Sequence, residues 1–193
     1  MPNQEFDLNP VDHITVDALG AAGQRVFYIQ AQKGAQTITL IAEKFQLQSL
    51  AIGIERFLAE IAEKFPDLPA PVAEFSETQM HIHPPVDPLC RIANIGLGFD
   101  IEADLAVLVI HELLPEGDIM EEIEDAIQSN DDTIEGDVPN VVRLWCSRDQ
   151  LLALSRWSIE VASRGRPICP QCNEPMEPEG HFCVKKNGGH ARK

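Results

Sequence analysis

Twice along this chain of 193 residues a succession of alternating, β-rich segments gives way to a helical period. That switch limits the fold more than any other feature, because strand side chains alternate between two faces whereas a helix returns to one face every three to four residues. His13 to Leu19 alternates, Gly20-Ala-Ala-Gly23 turns, and Gln24 to Gln32 alternates again. Lys33-Gly34 turns, and Ala35 to Glu43 carries Ile38, Leu40 and Ala42 on one face. From Phe45 to Phe65 the period lengthens: Leu47, Leu50, Ile54, Phe57, Leu58 and Ile61 recur at spacings of three and four, as on an amphipathic helix. Pro66, Pro69 and Pro71 stop it, and residues 66–90, with six prolines, read as an extended linker.

The second half repeats the pattern. Arg91 to Ile101, Asp104 to Leu114 and Asn140 to Ser147 read as strands, and Asp149 to Arg164 as a helix with Leu151, Leu154, Trp157 or Ser158, and Val161 on one side. Asp149 suits an N-cap, and Gly165-Arg166-Pro167 a stop. An offset of 104 lays Ile38 on Val142, Leu40 on Leu144, Ala42 on Cys146, Gln46 on Gln150, Leu47 on Leu151 and Leu50 on Leu154. An offset of 80 lays Val26–Ile29 on Ala106–Val109. The reading is a duplication: an α+β protein of two βββα repeats forming a pseudo-twofold antiparallel sheet body. The expected division is a first repeat at 1–65, a Pro-rich linker at 66–90, a second repeat at 91–166 and a tail at 167–193. Leu50 and Leu154 are expected at matching places in the core.

Hydrophobic residues make up 44 % of the chain, enough for a core, and no run is long and apolar enough for a membrane helix. Met1 to Glu5 has no basic stretch followed by an apolar one, so a cytoplasmic location is expected. The net charge of −16 argues against nucleic-acid or anionic-membrane binding through the whole surface. The charge is uneven. Ten of the 31 acids fall between Glu116 and Asp137 with no Lys or Arg among them, and nine of the 15 bases lie from Arg143 onward. The acidic stretch, 115–139, reads as a solvated loop between the second and third strands of the second repeat; it lacks the spacing of a calcium-binding loop.

The most specific chemistry stands at the end, in Cys169-Pro-Gln-Cys172 followed by Gly180-His181-Phe-Cys183. Two thiolates separated by two residues close on one ion through a tight turn, and four sulfur or nitrogen ligands suit tetrahedral Zn²⁺. Cys169, Cys172, His181 and Cys183 are the expected ligands of a structural zinc; His190 is the alternative to His181. A thioredoxin-type redox pair fits less well, since Cys169 follows a helix stop rather than a strand. Cys146, inside a predicted strand, reads as a core thiol.

These residues, with Phe6-Asp-Leu-Asn-Pro-Val-Asp-His-Ile-Thr-Val16, Gly23-Gln-Arg-Val-Phe-Tyr28 and Gly165-Arg-Pro167, resemble a bacterial family catalogued as domain of unknown function 3090 and also described as a "repeat protein". Relatives continue after the last cysteine with Pro-Arg-Ala-Asn-Gly where this chain has Val184-Lys-Lys-Asn-Gly188, and its acidic insertion is longer than is usual in the family. The resemblance implies no activity, substrate or catalytic residue.

Other candidates are weaker. Asp12-His13 has the chemistry of an acid–base pair, yet neighbours on a strand point to opposite faces, so capping or a sheet-edge role is expected. His81 and His83 share a face of a proline-flanked segment. His111-Glu112 lacks the second histidine of a zincin, and Gly96-Leu-Gly98 lacks the rest of a nucleotide fingerprint. No convergent acid, base and nucleophile emerges, so the expectation is a zinc-stabilised binding or scaffold protein with a protein partner, without catalysis. Two alternatives stand beside it: an enzyme or small-ligand binder with a site between the repeats drawn from Asp12, His13, Arg25 and Tyr28, and nucleic-acid contact through the tail with Lys185, Lys186, Arg192 and Lys193.

Overall fold

The computed structural model describes residues 4–21, 23–114 and 139–165, and beyond these residues 169, 171, 172, 183 and 185. The acidic stretch 115–138 lies outside the described residues, as do His181, His190, Lys186, Arg192 and Lys193.

The chain is α+β. Among the described residues its strands are β1 (Glu5–Leu8), β2 (His13–Leu19), β3 (Val26–Lys33), β4 (Gln36–Ala42), β5 (Pro88–Asp100), β6 (Leu105–Glu112) and β7 (Val141–Cys146); its helices are α1 (Lys44–Lys64) and α2 (Arg148–Ser163). They form one seven-stranded sheet in the order β1-β7-β6-β5-β4-β3-β2. The sheet is mixed rather than antiparallel as expected: β4 pairs parallel with β5, and β1 parallel with β7. Each parallel junction follows from a long connection, whereas the antiparallel pairs β2–β3–β4 and β5–β6–β7 run in chain order.

The β1 strand is an element the alternation did not reveal, since Glu5-Phe-Asp-Leu8 holds only two apolar residues. It dictates the shape of the sheet. β1 and β2 stand at opposite ends of the strand order, yet only residues 9–12 join them. Six strand spacings of a flat sheet span about 29 Å. The steps from Leu8 to His13 reach at most about 17 Å. The sheet therefore curls until its ends meet. The seam is held by the Val11 N–H, which donates to the Trp145 carbonyl at 2.8 Å, and by the Asp12 N–H, which donates to the Gln32 carbonyl at 2.8 Å.

The inner face carries two rows of side chains that run across the strands. Val16, Ile29, Leu40 and Cys90 are opposed in one row, and Leu97, Leu108, Leu144 and Leu8 in the other. With Leu40 laid on Leu144, these registers lay Ile29 on Leu108, not on Val109 as the sequence offset had it; a one-residue slip exchanges the faces of a strand. Both helices pack on this face and on each other. Leu47, Leu50, Ile54, Leu58 and Ile61 of α1 join Leu151, Leu154, Trp157 and Val161 of α2 in one core. The Ser155 hydroxyl donates to the Ala51 carbonyl at 3.0 Å across the buried helix contact.

The helix starts obey one rule. Glu43 caps α1 and Ser147 caps α2, each in a capping box closed by a glutamine three residues on, Gln46 or Gln150. The cap of α2 is thus Ser147 and not Asp149; the Asp149 carboxylate instead accepts the Val72 N–H at 2.7 Å. Each glutamine also reaches backbone carbonyls beside its helix. Gln46 Nε2 donates to the carbonyls of Ile92 and Ala93, and Gln150 Nε2 to those of Val11 and Asp12.

Residues 66–87 do more than connect. They form a strap containing a single 3₁₀ turn, Glu77–Met80, whose Met80 is buried. Arg148 Nη1 donates to the Pro69 carbonyl at 2.6 Å, Arg164 pairs with Glu77 at 2.8 Å, and the Phe75 ring meets Trp157 edge-on. The strap so crosses α2 and lands on β2 and β3. There the Thr15 hydroxyl donates to the Met80 carbonyl, and the Gln30 amide exchanges two hydrogen bonds with the backbone of His83.

Candidate functional site

The C-terminal cysteines converge. One ligand atom from each of Cys169, Cys172 and Cys183 lies within 4.8 Å of the others, the group of three potential metal ligands found among the described residues. Cys169 Sγ and Cys183 Sγ stand 3.9 Å apart. That is far beyond a disulfide bond and close to the roughly 3.8 Å that separates two thiolates on a tetrahedral ion at 2.3 Å from each. Cys169 and Cys183 are buried and Cys172 is half-buried. Backbone N–H groups of Cys172 and Gln171 hold the Cys169 thiol down to about 7, the direction that favours the thiolate a metal requires. The sulfurs of Cys169 and Cys172 stand together, as the two-residue spacing foretold. His181 and His190, the two candidates for a fourth ligand, lie outside the described residues.

The other two thiols belong to the core. Burial pushes Cys146 up to about 12; burial and the nearby Glu112 carboxylate push Cys90 up to about 11. Neither is a thiolate near neutrality.

The remaining candidates divide. Asp12 and His13 sit together at the wall of a cavity of about 470 Å³ between the start of β2, the strap and the first turns of α2. Asp12 also does the capping expected of it, its carboxylate accepting the Gly34 N–H at 2.6 Å across the β3–β4 turn, where Gly34 takes φ +56°. Arg25 and Tyr28 do not line this cavity: the Arg25 guanidinium lies 5.4 Å above the Phe27 ring, and Tyr28 stands opposite Asp17 in the β2–β3 ladder. His81 is tied to Asp17 at 3.0 Å, whereas the His83 ring meets His13, with centroids 6.4 Å apart. Glu112 accepts the Asn140 N–H, a structural duty at the end of β6. Gly96 and Gly98 are interior strand residues; a Cβ at Gly98 would stand 3.0 Å from Val107 Cγ1, so close packing of β5 on β6 accounts for it.

Two residues that organise these sites, Arg148 and Gln30, escaped the sequence reading; a third, Trp157, stands on the apolar side of α2 that the helical spacing marked. Arg148 grips Asp104 with two hydrogen bonds, 2.7 and 3.0 Å, while its third arm holds the strap. Gln30 clamps His83, and Trp157 donates its indole N–H to the Val16 carbonyl at 2.7 Å.

A family model described as "Protein of unknown function (DUF3090)" matches residues 6–183. The chain belongs to this family. The match takes in the strands, both helices and all three converging cysteines, in agreement with the resemblance read from the residues. No curated protein and no solved structure matches the chain. No described helix is long and apolar enough to cross a membrane.

Proposed function

We propose that this member of the family is a zinc-stabilised binding or scaffold protein of the bacterial cytoplasm, acting through a protein partner rather than by catalysis. The observation that carries the reading is the convergence of three thiols within 4.8 Å beyond the end of α2. Cys169, Cys172 and Cys183 would hold the ion and His181 would complete the set; with all four positions filled by protein, a zinc ion contributes folding energy and leaves no place for substrate. Apparent binding energies of structural zinc in short peptides are on the order of 10–16 kcal/mol near neutral pH, ample to order a segment with little core of its own. Cobalt substitution tests the ligand set. Three thiolates and one imidazole give a tetrahedral Co²⁺ spectrum with sulfur charge-transfer bands, and His181→Ala is expected to weaken it while His190→Ala leaves it intact. An octahedral, weak-field spectrum refutes the thiolate set.

We further propose that the body is a duplicated βββα unit, with equivalent parts related by a half-turn about the axis round which the sheet curls. Three parallels support this. The row Val16, Ile29, Leu40, Cys90 answers the row Leu97, Leu108, Leu144, Leu8. The β5 strand pairs with β4 through its first part and with β6 through its second, while β1 pairs with β7 and β2 with β3; β1 and β2 together stand as a broken β5. Gln46 and Gln150 cap and bridge alike.

A further inference from the structure

The two helices are seated beside the sheet alike, but among the described residues only one of the two seats is filled. Gln150 of α2 donates to the carbonyls of Val11 and Asp12, and Gln46 of α1 to those of Ile92 and Ala93. Counted from these bonds, Ile95 and Leu97 of β5 answer Ile14 and Val16 of β2. Yet Ile14 and Val16 are 3 % and 0 % exposed, whereas Ile95 and Leu97 are only half-buried. The difference lies in what covers them. Over β2 the Trp157 indole donates to the Val16 carbonyl, and the strap adds Phe75 against that indole and the buried Met80. On α1 the place of Trp157, by the offset of 104, is taken by Gly53. A Cβ there would meet no described atom within 4 Å. Past Arg91, moreover, β5 pairs with β6 alone among the described residues, which leaves its other edge without a strand. A groove of about 210 Å³ results, with Phe45, Leu50 and Gly53 of α1 and Ile95 and Leu97 of β5 in its lining.

The course of the chain names an occupant. The strap leaves α1 and passes the start of α2, where Arg148 holds the Pro69 carbonyl at 2.6 Å. At the same offset the counterpart of Arg148 is Lys44, and a Cβ on Gly165 would stand 3.4 Å from Lys44 Nζ. The tail therefore leaves α2 at the start of α1, beside the residue that precedes Phe45. Eleven positions after Pro69 comes Met80, and eleven after Gly165 comes Met176. From Lys44 to Gly53 is about 14 Å of helix. The steps from Cys172 to Met176 alone span up to about 14 Å. Methionine, unbranched and adaptable, suits an irregular gap between a glycine and leucine side chains. Glu174, Glu177 and Glu179 surround Met176 in sequence, and Lys44 and Arg25 stand at the point of exit, so opposite charges face each other.

We propose that the chain beyond Gly165 runs along α1 as the strap runs along α2, and that Met176 fills the groove over Gly53 against Leu50 and Leu97. The contact and the metal centre are separate devices. The thiols draw Cys172 and Cys183 together, and Met176, between them in sequence, fastens the segment to the body.

The test is the set of nuclear Overhauser contacts between methyl groups of the full-length protein labelled at Met, Ile and Leu, with zinc content measured on the same sample. Loss of one signal in Met176→Gln identifies the Met176 methyl. The expected result is contact of that methyl with the methyls of Leu50 and Leu97. In Gly53→Leu, whose side chain takes the space, these contacts are expected to vanish while those of Met80 persist. If Gly53→Leu does not fold, the wild-type contacts decide. The proposal is overturned if the Met176 methyl touches neither Leu50 nor Leu97, or if its contacts survive in folded Gly53→Leu. It is equally overturned if the contacts arise only between labelled and unlabelled chains, which makes a second copy the occupant. Missing contacts in protein that carries zinc overturn the docking and leave the metal centre standing; contacts present without zinc do the reverse.

Discussion

Trp157→Phe probes the lock between α2, the sheet edge and the strap in a single substitution. Trp157 is 2 % exposed, and its Nε1 donates to the Val16 carbonyl at 2.7 Å, satisfying the outer edge of β2. Its ring meets Phe75 and His81 of the strap edge-on, and the Arg164 guanidinium lies 4.7 Å above it. Phenylalanine keeps an aromatic ring but cannot donate. The Val16 carbonyl would keep only a contact of 3.4 Å from the neighbouring Thr15 hydroxyl. Losing the donor is worth about 1–3 kcal/mol for a buried carbonyl. The smaller ring forfeits about 1 kcal/mol of buried carbon. Together the expected loss is about 2–4 kcal/mol, lowering the melting temperature by roughly 4–16 °C. Urea unfolding followed by far-UV circular dichroism measures it without relying on tryptophan emission, and an unchanged denaturant slope shows that the loss lies in the native state. A loss below about 0.5 kcal/mol would show that β2 and the strap are held by other contacts and that the indole bond adds nothing net.

Further outcomes follow from the same structure. Leu154→Ala, at a fully buried site, is expected to cost about 3–5 kcal/mol, and Leu50→Ala nearer 2–3 kcal/mol because Leu50 borders a groove beside α1 into which its surroundings can relax; paired denaturation curves check both magnitudes and order. Removal of residues 167–193 is expected to leave a cooperative thermal transition, since the seven strands and the helices α1 and α2 all lie before Gly165; a chain without a transition refutes that boundary. His13, whose proton affinity is lowered by burial and by His83, stabilises the fold fully above its unfolded value near 6.5. Below that value the unfolded chain takes up the proton first, so stability falls with pH until the lower folded value is passed. Melts across this range are expected to decline more steeply in the wild type than in His13→Phe; parallel curves contradict the assignment.

The sequence revealed whatever repeated itself along the chain. Period-two runs marked β2 to β7 to within three residues at each end, and the leucine spacing marked both helices, because buried faces leave a periodic trace. Gln46 and Gln150 aligned in sequence, and in the structure both close capping boxes and donate to backbone carbonyls, Gln46 to β5 and Gln150 to the connection between β1 and β2. The two-residue spacing of Cys169 and Cys172 likewise foretold their approach, and Cys183 joined them. What stayed hidden was non-periodic or long-range. Glu5-Phe-Asp-Leu8 is too short to show alternation, although β1 is the strand that forces the sheet to curl. Proline density marked residues 66–90 as irregular but carried no sign of where they pack; that depends on Arg148, Gln30 and Thr15, single polar residues reaching across 53 to 79 positions of chain. Of the cavity at the seam the sequence offered Asp12 and His13, together with Arg25 and Tyr28, which do not line it; the walls from the strap and α2 stayed hidden because they come from distant segments.

Zinc content tests the account most directly. Protein purified without chelator is expected to carry about one zinc per chain by elemental analysis, with Cys172→Ser losing it and its tail becoming sensitive to protease. Near-zero zinc in the wild-type protein, or full zinc retained in Cys172→Ser, would contradict the assignment of the converging thiols as a structural metal centre.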